Sequence, residues 1–303
     1  MHESFPRYRY GITMAFLTVL SWGMVPILVK IALHEATVTE IALCRLILGC
    51  LILMLIQTYR GTLQRKELSD AAPACIGGLF FAGHYYCLFR GIELSGPAFA
   101  QVLIQSGGLF LIIAGVFVFK EILGRVQVLG VTITLGAMSA FHLAVSGKNS
   151  LAIQQTTLAA CYLVSSGAAW AVFAALKKNV SQRRSPISYL CIAFAVAALC
   201  YVLTVDWENF GLYSSLGWIT LACLGTLTAS GYLSFGEALR YAPAAQVSTI
   251  AATAPLITAG LATLIHVTWP KALPAEQIGI SGYLFAALVV LGVTLVIRPA
   301  APS

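Results

Sequence analysis

Gly91-Ile92-Glu93-Leu94-Ser95-Gly96-Pro97-Ala98-Phe99-Ala100-Gln101 joins two long apolar runs through a few residues, and Glu237-Ala238-Leu239-Arg240-Tyr241-Ala242-Pro243-Ala244-Ala245-Gln246 does the same in the second half. In both, a proline opens the following helix, where its missing N–H breaks no hydrogen bond. Outward from these junctions the correspondence continues: Trp22 has a counterpart in Trp170, and Leu135-Gly136 has one in Leu291-Gly292. Residues 1–150 and 151–303 therefore read as two copies of one unit.

Each copy holds five apolar runs. The chain has 303 residues, 59% hydrophobic and 10% charged, whereas an ordinary soluble domain carries about 25% charged residues. A bilayer core needs about 20 apolar residues per helix, so the length accommodates ten crossings and no sizeable soluble domain. The runs are 11–33, 40–59, 71–94, 97–119, 126–146, 156–178, 187–205, 215–240, 243–268 and 278–298, here spans 1 to 10. Breaks fall at Arg60–Asp70, Lys120–Arg125, Lys148–Gln155, Lys177–Ser185, Asp206–Tyr213 and Pro270–Glu276. Five is odd, so the second copy must insert upside down relative to the first, the inverted-repeat plan of many secondary transporters. The expected fold is an all-α membrane protein of ten transmembrane helices in two inverted five-helix repeats.

Arg7 and Arg9 precede an apolar run that continues to Leu33, too long for a signal-peptide core and without a small-x-small cleavage site; the segment reads as span 1. With the N-terminus in the cytoplasm, 13 of the 18 basic residues fall at inner ends, while Lys30, Arg45, Arg90, Lys148 and Lys271 stay at outer ends and the 7–8 connection carries Asp206 and Glu208. The positive-inside rule thus predicts cytoplasmic N- and C-termini, in a bacterial inner (plasma) membrane. The net charge of +7 is spread between apolar segments rather than gathered in a patch, which speaks for topology and against nucleic acid. The eight cysteines lack C-x-x-C spacing and read as small core residues. Nothing calls for a metal or cofactor.

The chain resembles the EamA family of the drug/metabolite transporter superfamily. Leu20-Ser21-Trp22-Gly23, Leu43-Cys44-Arg45-Leu46-Ile47-Leu48, the two short junctions and Phe119-Lys120-Glu121 followed by Gly130 and Gly136 carry the resemblance, with Glu276 followed by Gly282 and Gly292 repeating the last pattern. It implies a central cavity lined by spans 1, 3, 4, 6, 8 and 9 and alternating access without ATP hydrolysis. Related proteins handle amino acids, amines, vitamins or nucleotide-like metabolites. Where family members often have proline in mid-span 4, this chain has Gln105-Ser106-Gly107-Gly108, while Pro255 occupies span 9. Glu121 falls at a helix boundary and reads as a cap or loop anchor.

Polar side chains at bilayer depth need a partner or a wet cavity. Gln101 and Gln105 share one face of span 4, and Gln246, Thr249 and Thr253 form a stripe on span 9. They read as substrate ligands facing one another across the centre, or as interhelical hydrogen-bonding glue. Trp22, Tyr85, Trp170 and Tyr232 lie within spans 1, 3, 6 and 8, where aromatic faces can stack on a flat substrate or enclose a cation. His84 in span 3 titrates near working pH when unperturbed, a candidate proton carrier if it is not a satisfied core histidine. Pro26, Gly107, Gly108 and Pro255 are candidate kinks or gates, and Lys30, Arg45, Arg90 and Glu237 read as structural charges near span ends.

Three functions compete. The leading one is a secondary active exporter or exchanger of a small polar metabolite such as an amino acid or amine. Uptake of a vitamin or nucleotide-like metabolite, or efflux of cationic drugs, is the alternative within transport. An intramembrane enzyme is remote, because the sequence has no H-E-x-x-H, no G-x-S-x-G beside a histidine and no paired aspartates. The implied partners are a small-molecule substrate, the lipid bilayer and a proton.

Overall fold

The computed structural model describes residues 4–59, 71–117, 123–146, 150–181, 186–274, 276 and 278–297. Arg60–Asp70, Lys120, Glu121, Lys148, Arg183, Arg184 and Arg298 lie outside the described residues. Twelve α-helices follow in order among those described: α1 (Ser4–Ala32), α2 (Val38–Tyr59), α3 (Ala72–Ser95), α4 (Pro97–Leu103), α5 (Ser106–Phe117), α6 (Arg125–Val145), α7 (Ser150–Ser181), α8 (Pro186–Val202), α9 (Ser215–Tyr241), α10 (Ala244–Ala251), α11 (Ala254–Thr268) and α12 (Ile280–Ile297). They make ten spans, because α4 and α5 are the halves of span 4 and α10 and α11 those of span 9. Eight spans are long and apolar enough to cross a membrane, and two shorter apolar helices, Ile187–Val202 and Ile280–Val296, complete the set. Outward-facing positions such as Leu55, Phe117 and Leu143 are exposed and as apolar as the interior, the pattern of helices solvated by lipid rather than water. Of the cysteines only Cys50 and Cys191 are buried, while Cys161, Cys200 and Cys223 are exposed; the core assignment of all eight was too broad because an apolar span has a lipid face as well as a core face.

Local sequence sets the ends. Thr37 and Glu40 form a reciprocal capping box at the start of α2: Glu40 Oε2 accepts the Thr37 N–H at 2.7 Å and Thr37 Oγ1 accepts the Glu40 N–H at 3.4 Å. Ser214 caps α9, its Oγ accepting the Gly217 N–H at 3.1 Å. Helix α7 begins at Ser150 rather than after Gln155, because its polar first turns stay helical and Gln155 donates to Leu94 O at 3.0 Å. Span 7 ends at Val202, and a short 3-10 turn covers Glu208–Gly211.

The breaks in spans 4 and 9 share one geometry. Gln105, Gly107 and Gly108 N–H groups donate to the carbonyls three residues back, Val102, Ile104 and Gln105, as Thr253 does to Ile250. Each span thus tightens to i−3 bonding for about a turn, where its helix is interrupted. Gly107 and Gly108 take part in the break through their N–H groups. Gly96 has the one positive φ for glycine among the described residues. Pro255 stands in the first turn of α11, where it removes no helical hydrogen bond. Pro26, by contrast, lies inside α1.

Packing follows a regular exchange. Span 1 packs on span 8 (α1 on α9) and span 3 on span 6 (α3 on α7); replacing each span by the one five along turns the first pair into the second. The same exchange relates spans 3 and 7 to spans 2 and 8, and spans 4 and 6 to spans 1 and 9, while 2 with 7, 4 with 9 and 5 with 10 map onto themselves. Spans 5 and 10 approach through glycines, since a Cβ on Gly130 would lie 2.7 Å from Gly292 O and one on Gly292 would lie 3.0 Å from Gly130 O.

Candidate substrate cavity

A cavity of about 510 Å³ lies where the two broken spans cross. Trp22 and Pro26 of α1, His84 and Tyr85 of α3, Gln101 of α4, Gln105 and Gly108 of span 4, Trp170 of α7 and Tyr232 of α9 line it. At the crossing Gln105 Nε2 reaches the carbonyl of Ala252 at 3.4 Å, so the side chain at one break touches the backbone at the other. The wall runs on through Gly115, Leu123 and Gln127 to Val296, reaching the end of the bundle where span 4 passes to span 5.

An aromatic layer forms its other side. Trp22 meets Tyr232 edge-on with ring centroids 6.0 Å apart, and Tyr232 in turn meets Phe81, Phe173 and Phe194 at 5.8, 6.2 and 5.6 Å. Tyr85 packs on Phe81 at 4.5 Å and on Phe89 at 5.1 Å. Such edge-to-face and offset contacts stabilise by about 1 kcal/mol each beyond burial, and they fix the rings before any ligand arrives.

Arg45 also lines the cavity. It stands on the eighth residue of α2, 4% exposed, with its Nε donating to Thr228 Oγ1. Its guanidinium carbon lies 4.6 Å from the Tyr85 ring centroid and 5.6 Å from that of Phe89. Nη1 is buried without a hydrogen-bond partner, as is Tyr85 Oη. Among the described residues no Asp or Glu is part of the cavity wall. The sequence reading placed Arg45 near a span end with a structural role. The signal that finds it is the seven residues separating it from the start of α2, about 10 Å along a helix, which takes the charge below easy snorkelling distance.

His84 is buried between spans 3 and 6. Its Nδ1 lies 2.8 Å from Ser166 Oγ and 3.1 Å from Ser166 O, and Ser166 Oγ donates to His84 O at 3.0 Å. Ser166 thus orients the imidazole, a partner that sequence alone did not suggest.

The span-9 stripe turns away. Gln246 is exposed at the start of α10 and accepts a hydrogen bond from Tyr8 Oη at 2.8 Å. Thr253 Oγ1 closes its own turn on Ile250 O at 2.7 Å. Neither they nor Thr249 belongs to the wall, where Ser248, Ala251, Ala252 and Ala254 stand instead. The physical reason is position: Gln246 stands in the exposed first turn of α10, Thr253 lies in the break itself, and the face of α10 that lines the cavity is that of Ser248 and Ala251. Gly107 packs on Trp170, with a Cβ there 3.0 Å from the indole, and Pro255 is buried beside the break; neither lines the cavity.

The bundle end opposite Leu123 is tied shut. Glu276 Oε1 and Oε2 accept the N–H groups of Ala98 and Phe99 at 2.8 and 3.1 Å, clasping the start of span 4. Lys30 Nζ donates to Ile92 O and Glu93 O at 3.2 and 2.7 Å, and Arg90 pairs with Glu93. Glu35 accepts from the Ser214 N–H and hydroxyl, and Glu40 accepts from Asn209 Nδ2 at 3.0 Å and Tyr213 Oη at 2.6 Å. Burial raises the Glu276 carboxyl pKa above its ordinary value, against the pull of the two N–H groups and Lys30. The Ser214 hydroxyl and N–H hold that of Glu35 below its ordinary value.

Ten helical spans around a cavity that meets one end of the bundle describe a carrier architecture, and the sequence matches the EamA-like transporter family twice, over residues 9–141 and 157–298. The chain belongs to the EamA-like transporter family. Each EamA match takes in one group of five spans. Among relatives, the chain is 25% identical over 291 residues to the uncharacterized inner membrane transporter YhbE of Escherichia coli (strain K12), covering 93% of this chain and 89% of that one. It is also 25% identical over 293 residues to an uncharacterized transporter of Haemophilus influenzae, covering 94% of each. A solved crystal structure 16% identical in sequence superposes with a TM-score of 0.64 over 94% of this chain and 95% of its own, a likeness of fold. This EamA chain is accordingly an integral membrane protein of a transporter family, which implies a small-molecule cargo and a lipid bilayer.

Proposed function

We propose that the chain is a secondary active exporter or exchanger of a small polar metabolite, with amino acids and their amine relatives as the leading class, working by alternating access. The observation that carries this reading is the cavity at the crossing of spans 4 and 9, where two broken helices meet aromatic and amide side chains and the Arg45 guanidinium. Its volume suits a ligand of amino-acid size. Broken helices at a central site are a recurrent device of secondary carriers. The five-along exchange of packing pairs and the doubled family match support two inverted repeats, 1–150 and 151–303. With the termini cytoplasmic, the clasp at Glu276 closes the outside and the cavity faces inward. His84 is the candidate proton carrier of this reading, held in place by Ser166.

Efflux of cationic drugs draws less support, because the Tyr85 face that would receive a cation already carries Arg45. The test is counterflow in vesicles containing only the purified protein, loaded in turn with unlabelled amino acids, amines and vitamins. Saturable uptake of the labelled counterpart supports the reading; no saturable flux across the panel refutes it.

A further inference from the structure

The transport reading leaves Arg45 without an occupant. A buried ion loses hydration worth several kcal/mol, and the usual compensation is a carboxylate. Among the described residues none pairs with it. A guanidinium presents five N–H donors in a planar fork. One donor, Nε, is spent on Thr228, and the flat face is stacked on Tyr85 and Phe89, but the Nη1 edge is unused. A second cation stands across the same aromatic layer, with Lys177 Nζ 5.5 Å from the Tyr232 ring centroid. The cavity wall therefore has a positive charge and an idle donor, with no carboxylate among the described residues to answer it.

We propose that Arg45 is the anion-binding residue of the cavity, engaging a carboxylate of the ligand through its Nη1 edge while the rest of the ligand lies against the Trp22 and Tyr232 rings. Tyr85 Oη, likewise without a partner, is the second donor for the same group. The cargo is then an organic acid or a zwitterionic amino acid rather than an amine lacking a carboxylate. This assignment rests on the transport reading only in calling the ligand cargo. A planar fork matches a carboxylate with two parallel hydrogen bonds; phosphate offers similar oxygens and is the source the experiment must separate.

Trp22 and Trp170 line the cavity, so intrinsic fluorescence reports its occupancy together with thermal shift. The full-length purified protein is titrated with the common amino acids, the amines formed by removing their carboxyl groups, short-chain carboxylates, inorganic phosphate and phenyl phosphate. The expected result is binding by carboxylate-bearing compounds, at least tenfold weaker binding by the matched amines, and a loss of tenfold or more in Arg45→Gln. Arg45→Lys, which keeps the charge without the fork, retains a larger share. Matched acids and amines are compared on the native protein, so the result stands even if Arg45→Gln fails to fold. Equal binding of acid and amine, carboxylate binding undiminished in a folded Arg45→Gln, or no carboxylate binding at all overturns the proposal, and Arg45-dependent binding of phosphates alone overturns the carboxylate. Counterflow of a neutral or cationic solute that ignores Arg45→Gln removes the anion site and leaves transport standing. Carboxylate binding without any counterflow does the reverse.

Discussion

Gly96 turns the backbone from span 3 into span 4 at φ 127° and ψ 167°, a region open almost only to glycine. Its second-half counterpart Ala242 sits at φ −134° and ψ 154°, ordinary extended backbone before a proline. The two junctions match in sequence at the proline and differ at the residue before it, and the structure supplies the reason. Gly96→Ala is expected to destabilise by about 2 kcal/mol from backbone strain, and its new methyl would sit 2.7 Å from the Glu276 carboxyl carbon. Ala242→Gly should cost about 0.5–1 kcal/mol. Thermal melts of the purified variants compare the two. The glutamines divide in the same way. Gln105→Ala should reduce counterflow at least tenfold with a stability change of about 1 kcal/mol, whereas Gln246→Ala should leave counterflow within a factor of about two, since its Tyr8 contact is exposed. Sequence could rank both glutamines only as polar residues at depth; Gln105 stands at the break of span 4 and lines the cavity, while Gln246 stands in the exposed first turn of α10.

At the scale of elements, two carboxylates fasten the closed end, and they respond to pH with opposite sign. Glu276, clasping α4, has a pKa raised above 4.5 by burial, with Lys30 and the Ala98 and Phe99 N–H groups opposing. The clasped form therefore holds its proton more tightly than a solvated one. Its contribution to closure is complete below about the ordinary carboxylate value and declines as the pH rises through the raised value. Glu35, whose pKa Ser214 lowers from 4.5, contributes above its ordinary value and loses that contribution as the pH falls. Hydrogen exchange at the Ala98 and Phe99 amides, corrected for intrinsic rate, should speed up between mildly acidic and neutral pH in the native chain, and Glu276→Gln should flatten that slope. An unchanged slope would mean that Glu276 does not govern the clasp. Spans 5 and 10 offer a simpler check: Gly130→Val should cost about 1–3 kcal/mol through overpacking, because backbone of span 10 lies 2.7 Å from the new Cβ position.

Across the whole molecule, hydropathy made ten spans legible, since that signal lives in residue type and spacing. What lay beyond the sequence was relational. That spans 4 and 9 break at one crossing, that Ser166 holds His84, and that Arg45 ends against Tyr85 depend on which helices meet. Composition does not carry that. Under the proposed orientation, a membrane-impermeant thiol reagent added from outside should miss a single cysteine placed at Gln127 in a cysteine-free background and label it from inside. Labelling from outside alone would reverse the topology.

The unpaired guanidinium has an electrical consequence. An empty carrier with Arg45 uncompensated moves one positive charge relative to the field whenever the cavity changes sides, while a carrier filled by a monoanion moves none. A unit charge crossing the full membrane potential exchanges about 2.3 kcal/mol per 100 mV, and the fraction sensed depends on how far Arg45 shifts. Exchange of one monoanion for another should then be indifferent to voltage. Net flux, which requires the empty carrier to return, should change with it, and clamping vesicles with potassium and valinomycin measures the difference.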